Sequence, residues 1–426
     1  MHHREERPLA IVVGLDCLTG LQTARILHDR GIRVIGLAAD LGHYCARTRV
    51  CERRFEVDTS GPALVRWLLE LDLATDAKPV LFPCTDSAVV AISRGRAELE
   101  RRYRIALPEH EIVERLLDKA RFYRFAMEHR LPIPRTAFVR SLDDCREAAL
   151  RLSFPCALKP PVKTAAWTSL TSAKVFQVRD FEELLKLWHR FGAAVGELIL
   201  QEWIPGGDEN LFTCYGYFDA DSNPLVLYES HKLRQWPVHT GSGTLAELVR
   251  VQPVREATAD LVRCAGYHGL AFVQFKRHPK TGEYFIVEPN VGRPGLGMPI
   301  GEAGGAEILL TMYCDAAGLP LPRNRRVTRA AKWICWKRDV ASALHSIKTG
   351  ELGVKEWLVS LAGVKAAADW RWDDPLPFLF DLVGSPTRLR RRSPEAPAPR
   401  LQVRPPAAAP EGGGHAPRVR VPQPES

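Results

Sequence analysis

Ala271-Phe-Val-Gln-Phe-Lys-Arg277, then His278-Pro-Lys-Thr-Gly282, then Tyr284-Phe-Ile-Val-Glu-Pro-Asn-Val-Gly-Arg293: this stretch reads as a hairpin whose second strand ends in chemistry. Two β-rich runs, Ala271–Arg277 and Tyr284–Pro289, flank a turn that carries proline and glycine. Side chains alternate along a strand, so Glu288 and Asn290 project to one side and Gln274 can sit across from them. Three oxygen donors on one sheet face suit magnesium, a hard ion that takes one or two carboxylates and leaves room for phosphate oxygens. Arg293, just past the strand, offers a planar cation for a transferring phosphoryl group. Taken alone, the same residues also read as a polar hairpin with a satisfied turn.

Moving upstream, Cys156-Ala-Leu-Lys159 is the end of a short strand that would aim Lys159 from a sheet into a cleft. A single lysine there reads equally as a solvated surface residue. Gln201-Glu-Trp-Ile-Pro-Gly-Gly-Asp208 differs in kind. An apolar strand, Leu198–Glu202, runs into a linker with a glycine pair and an acidic residue, where backbone groups could pair with an adenine edge and Asp208 with ribose hydroxyls. Around these lie helices at His110–Asp118, Lys119–Arg130, Leu142–Leu152, Phe181–Phe191 and Val254–Ala265. Strands are expected at Phe154–Lys159, Lys174–Val178, Leu211–Phe218 and Leu225–Ser230, with a polar loop up to Ser172. The mixture reads as an antiparallel sheet with flanking helices.

The first hundred residues have another texture. Apolar strands at Leu9–Val13, Arg33–Ala38, Arg54–Val57 and Pro79–Phe82 alternate with helices at Thr19–Arg30, Pro62–Leu73 and Asp86–Arg101. That alternation implies a parallel sheet covered on both faces. Gly14-Leu-Asp-Cys-Leu-Thr-Gly20 sits where a dinucleotide fold would hold phosphate, but its spacing is not G-x-G-x-x-G, so a ligand-free tight turn is an equal reading. Asp40 reads as a strand-end surface aspartate rather than a ribose ligand. Residues 304–384 contribute further helix, rich in tryptophan and with a core of its own.

The chain has 426 residues and a formal charge of +9, and the location of that charge matters. From Ser385 onward eight arginines face three glutamates in a stretch dense in proline and alanine, so this tail supplies five of the nine excess charges. Such a segment cannot bury enough surface to order itself. The remainder is only mildly basic, which argues against dedicated nucleic-acid binding. Ten scattered cysteines with no C-x-x-C pair read as free thiols in a reducing compartment, hence a cytoplasmic protein. Apolar runs fall well short of the ~20 residues of a membrane span.

The order Asp118-Lys119, Ala157-Leu-Lys159, Gln201 to Asp208, His231-Lys232, Gln274 and Glu288-Pro-Asn-Val-Gly-Arg293 resembles the ATP-grasp superfamily, nearest its predicted carboxylate–amine ligases of the D-aspartate ligase-like type. The resemblance covers residues 9–316. It implies an α/β fold: a parallel-sheet pre-ATP-grasp domain (1–107) and an α+β ATP-grasp domain (108–318, lid about 116–200). A helical C-terminal extension (319–384) and a disordered Pro/Arg-rich tail (385–426) would follow.

By that resemblance, Lys119 and Lys159 would touch ATP phosphates, with Lys163 standing in for a glycine-rich loop that this chain lacks. The Gln201 side chain and the backbone around Glu202, Trp203 and Ile204 would hold adenine, and Asp208 the ribose. Gln274, Glu288 and Asn290 would bind Mg2+ or Mn2+, Arg293 would meet the γ-phosphate, and Lys232 and Arg234 would face the transferring group. The implied reaction couples a small carboxylate to an amine through an acyl phosphate, releasing ADP and phosphate, and a homodimer is compatible with it. Two departures stand out: the loop 160–172 has no glycine, and Gln274 is neutral where many relatives carry a carboxylate. They leave open a nucleotide-binding protein without turnover; a nicotinamide-dependent oxidoreductase is disfavoured by the missing G-x-G-x-x-G.

Overall fold

A computed structural model of the chain describes residues 7–383 except 74–76, 163, 172, 174, 239 and 240. Lys163 and the arginine-rich tail at 385–426 therefore lie outside the described residues.

Strands β1 (Ala10–Val13), β2 (Val34–Ala38), β3 (Arg53–Glu56) and β4 (Val80–Pro83) form a parallel sheet in the order β3-β2-β1-β4. Strands β1, β2 and β4 are buried throughout, as continuous apolar runs between helical layers must be, while charged β3 takes the edge. The loops leaving β1 and β4 emerge side by side at the strands' C-terminal ends. A Cβ on Gly20 would lie 2.1 Å from the Gly14 carbonyl oxygen, so close packing of that turn accounts for its glycines. Asp16, not Asp40, organises the end of β2 by accepting from the Ala39 and Asp40 amides (3.0 and 3.1 Å).

Strands β5 (Thr136–Val139), β6 (Cys156–Lys159), β7 (Phe176–Val178) and β8 (Leu198–Glu202) form a separate antiparallel sheet, order β5-β8-β6-β7. One face is sealed against helices Leu142–Arg151 and Phe181–Val195 by Leu158, Leu184, Phe191, Leu198 and Leu200. Alternation then turns Lys159 and Gln201 to the other face. The loop expected before Ser172 contains a helix, Ala165–Leu170, capped by the Thr164 hydroxyl. Trp167 drives it: the indole is fully buried against Phe176 and Phe191, and its N–H reaches the Ala173 carbonyl (2.9 Å).

The remaining strands build one seven-stranded sheet, β13-β12-β9-β10-β11-β14-β15. These are β9 (Leu211–Phe218), β10 (Pro224–Trp236), β11 (Ser242–Val249), β12 (Gly269–Arg277), β13 (Tyr284–Val291), β14 (Lys332–Ile334) and β15 (Val364–Ala367). Helix Gln252–Ala265 covers one face through Phe212, Cys214 and Phe275. The other face shares a core with helices Leu18–Asp29 and Ile308–Ala317.

Two expectations need correction. Strand β10 runs on to Trp236, six residues past Ser230, because β11 pairs along its extension. Nor does the tryptophan-rich segment keep a core of its own. Strand β14 pairs with β11 (Leu245↔Ile334), and Trp333 is buried in the shared core with its N–H on Gln22 (3.0 Å). The same segment is clamped to the first helix by a buried ion pair, Arg25 Nε to Asp374 Oδ2 (2.9 Å). Among the described residues no helix is long and apolar enough to cross a membrane.

Candidate functional site

Asp118 caps helix Lys119–Glu128 by accepting from the Arg121 amide (2.9 Å), which sets Lys119 at the helix start. Lys119 Nζ forms an ion pair with Glu288 on β13. One helical turn on, Tyr123 faces the same way. Its hydroxyl donates to the Val287 carbonyl (2.6 Å) and accepts from Lys159 Nζ (2.8 Å). Lys159 also donates to Gln201 Oε1 (3.1 Å), and Gln201 Nε2 is anchored on the Thr136 hydroxyl (2.8 Å). Tyr123 thus joins the separate sheet to the hairpin. The hairpin makes this contact possible through a register shift: Gln274 pairs with Glu288 but Phe275 with Ile286, so Val287 is the extra residue of a β-bulge.

Register lines up a polar row across the large sheet: Glu288 opposite Gln274, Gln274 opposite Thr213, Thr213 opposite Ser230. Lys276 lies on the same face two residues beyond Gln274, and Lys232 two beyond Ser230. In the other direction Asn290 follows Glu288. Its Oδ1 accepts from Arg293 (2.8 Å), while its buried Nδ2 has no hydrogen-bond partner among the described residues. Arg293 is held from three sides: by Asn290, by an ion pair with Asp86 at the start of the helix after β4, and by the Phe272 ring 5.0 Å below. The first domain thereby supplies one wall.

At the far end of the row Asp208 accepts from Gln235 Nε2 (2.6 Å), and Gln235 Oε1 accepts from Lys232 (3.2 Å). Lys276 Nζ lies 5.4 Å from the centre of the Trp203 ring. The Glu202 and Trp203 amides are spent on the Arg135 and Pro155 carbonyls (2.9 and 3.0 Å), and the Glu202 carboxylate on the Ser153 amide (2.9 Å). The Ile204 amide, past the strand end, enters no backbone hydrogen bond among the described residues. His231 stacks on Phe212 and bonds to the Glu209 carbonyl (2.8 Å).

Arg234 does not join the row. Register shifts on both sides of it turn its guanidinium away, where it forks onto buried Asp339 (2.9 Å on each arm) and donates to Ser360 (2.7 Å). The expectation that it faces a reacting group is corrected by this pairing.

The electrostatics are one-sided. Burial and the neighbouring Lys119 charge pull the Lys159 ammonium down to about 7, against Glu288. Burial likewise lowers Lys232, opposed by Asp208, and Lys276, opposed by Asp208 and Glu209. Burial also works against Lys119, but there Glu288 more than offsets it and the group titrates above its ordinary range. Three desolvated lysines on one sheet-lined cleft are held at a cost that a polyanion would relieve.

No family model matches the chain. It is 26% identical over 224 residues to a D-aspartate ligase of Enterococcus faecium, covering 50% of this chain and 53% of that ligase, so the match spans about half of the relative's length. In structure it is similar to phosphoribosylglycinamide synthetase from Anaerococcus prevotii (TM-score 0.57, 16% identity, 76% of this chain and 79% of that one). It is also similar to the biotin carboxylase domain of 2-oxoglutarate carboxylase from Hydrogenobacter thermophilus, solved with MgADP, ADP and bicarbonate (TM-score 0.58, 16% identity, 78% and 74% covered). The chain carries the ATP-grasp fold.

Within the ATP-grasp frame, the structure brings Lys119, Lys159, Gln201, Gln274, Glu288, Asn290 and Arg293 around the hairpin. It sets Trp203, Asp208 and Lys232 at the row's other end. Tyr123, Lys276, Gln235 and Asp86 are additions that sequence reading missed. Lys276 was within reach, since strand alternation puts it on the face of Gln274, and Tyr123 lies four residues after Lys119 on one helix. Nothing in the sequence marks Asp86, which comes from another domain.

Proposed function

We propose that the chain is an ATP-dependent ligase that joins a carboxylate to an amine through an acyl phosphate, releasing ADP and phosphate. The single observation that carries this reading is the convergence of Lys119 and Lys159 with Glu288 across one cleft, bridged by Tyr123. The D-aspartate ligase likeness supports ligation, and the MgADP of the biotin carboxylase neighbour supports ATP as the nucleotide.

The residues fit a nucleotide with its metal. Glu288, Asn290 and Gln274 are hard oxygen donors on one face, and among the described residues no group of three His, Cys, Asp or Glu makes a cage. A single magnesium shared with phosphate oxygens suits that donor set, and when bound it neutralises phosphate charge. Lys159 and Lys119 would take the phosphates, with the Ile204 amide and Trp203 at the base end and Asp208 near the ribose. Expelling oxide from a carboxylate is prohibitively uphill; phosphorylation turns that oxygen into a leaving group. The γ-phosphoryl passes to the carboxylate oxygen as its bond to ADP breaks, with Arg293 and Lys232 steadying the charge in transfer. The amine then attacks the acyl carbon, phosphate departs, and the amine's proton passes to solvent. The reaction needs no protein nucleophile.

Incubating the protein with ATP, magnesium and a carboxylate library crossed with an amine library tests this. ADP release that requires one member of each library is the expected outcome. A second reading, a nucleotide-binding protein without turnover, draws on Gln274, whose neutrality leaves Glu288 as the one carboxylate of the hairpin triad. Saturable ATP binding with no pair releasing ADP would establish it instead.

A further inference from the structure

We propose that the helix Leu376–Val383, together with Trp372, docks this protein peripherally on an anionic lipid surface. Thirteen large apolar side chains are exposed among the described residues. Met127, Leu150 and Leu170 are scattered, and the other ten fall between 340 and 383. The helix Leu376–Val383 is built the wrong way round for a surface that meets only water. Its one charged residue, Asp381, is buried and paired with Lys337 Nζ (2.8 Å), while Leu379, Phe380, Leu382 and Val383 face outward. An ordinary surface helix turns its apolar stripe to the core. Packing extends this face on both sides. Trp372, 87% exposed, sets its ring against Trp370 (5.2 Å), which in turn meets Phe378 (5.1 Å). On the other flank the Lys337–Asp381 pair fixes helix Trp336–Lys348, whose exposed Val340 and Leu344 lie one and two turns past Lys337.

Charge decides what covers the face. Exposed Arg47 lies over the Phe380 ring (5.1 Å) and has no acidic partner among the described residues. The exposed carboxylate beside Trp372, Asp373, is taken up by Arg371. The sequence past Val383 carries Arg388, Arg390, Arg391 and Arg392 before its first acidic residue, Glu395. Apolar side chains beside clustered cations match the headgroup layer of an anionic bilayer, which takes the former at its acyl boundary and the latter at its phosphates. Stable peripheral anchoring needs two such signals, and this segment supplies both. Eight helical residues span only about 12 Å, so the helix lies in the plane of the surface and does not cross it. A second copy of the chain is a poorer occupant, because a two-fold interface meets itself and would bring two arginine clusters to one junction. The residues from 385 onward are too poor in apolar side chains to cover the face themselves.

Co-sedimentation of the full chain with vesicles tests this, comparing pure phosphatidylcholine with an equimolar phosphatidylcholine–phosphatidylserine mixture. The expected result is binding to the mixed vesicles alone, weakening as salt rises. Brominated phosphatidylcholine in the mixture should quench tryptophan emission, and Trp372→Phe should reduce that quenching. Leu379→Glu combined with Leu382→Glu should lower the partition coefficient by ~10–100-fold, the scale of withdrawing two apolar side chains and adding two repelled charges. Val383→Glu, at a position 86% exposed, should act in the same direction with the thermal midpoint unchanged. Absence of binding to the mixed vesicles overturns the proposal. Binding that none of these glutamate substitutions weakens also overturns it, since the basic tail alone would then be adsorbing. Self-association that Leu379→Glu with Leu382→Glu abolishes, without vesicle binding, makes the face an interface between copies and overturns it equally.

Discussion

Two charged regions of this molecule follow opposite rules. At the junction of the C-terminal segment the two buried aspartates, Asp374 and Asp339, are each matched by an arginine. Asp374 accepts from Arg25 (2.9 Å), the Thr48 hydroxyl (2.5 Å) and the Arg49 amide (3.0 Å). Asp339 accepts both arms of Arg234, the Thr244 hydroxyl (3.0 Å) and the Trp357 N–H (3.1 Å). Around the hairpin, by contrast, cations outnumber acids and three lysines are pushed below their ordinary range. Balanced charge holds elements together; unbalanced charge, kept at a cost, marks where a ligand supplies the missing sign. Lys232 and Arg234 make the contrast sharpest, since two residues on one strand belong to different regimes.

The contrast is broken most directly at Asp339. Asp339→Ala strands Arg234 as an unpaired buried charge and is expected to cost about 3–5 kcal/mol in denaturant unfolding. A loss under 1 kcal/mol would show that the junction is not scaffold. Next comes Glu288→Gln, which should leave unfolding nearly untouched but cut ADP formation by ~10²-fold, the scale of one electrostatic stabiliser. Wild-type turnover in that variant would remove the hairpin from the chemistry.

Lys159 gives the smallest and most specific effect. Its folded pKa of about 7 lies below the ordinary 10.5, so between those values the unfolded chain binds a proton that the folded one does not. Stability should therefore fall as pH drops from about 10 to about 7 and flatten below, and Lys159→Ala should erase that slope. Nucleotide phosphates favour the protonated form. ATP binding just above pH 7 should take up a proton, read by calorimetry in buffers of different ionisation enthalpy, and weaken as pH rises. In Lys159→Ala the uptake should vanish and affinity fall ~10-fold.

Much of this architecture was legible because it is local. The β1–β4 alternation, the full span of β9 and the facing of Glu288 and Asn290 follow from periodicities of a few residues. What stayed hidden depends on partners distant in the chain. Strand β11 is mixed in character and exists because β10 and β14 flank it. The shifts around Arg234 then follow from that pairing, and with them its exchange of the cleft for Asp339. Helix Ala165–Leu170 was hidden for the same reason, since Trp167 needs Phe191 to be worth burying.

The pairing of β14 on β11 also constrains how the chain is made. Strand β11 ends at Val249 and β14 begins at Lys332, so during synthesis the growing sheet keeps a bare edge for on the order of ten seconds at typical ribosomal speed. Arg25 waits longer still for Asp374. Completion of the fold is thus deferred until the segment bearing β14 and Asp374 has been made, and a nascent chain stalled before it would expose an adhesive, hydrogen-bond-hungry border to its neighbours.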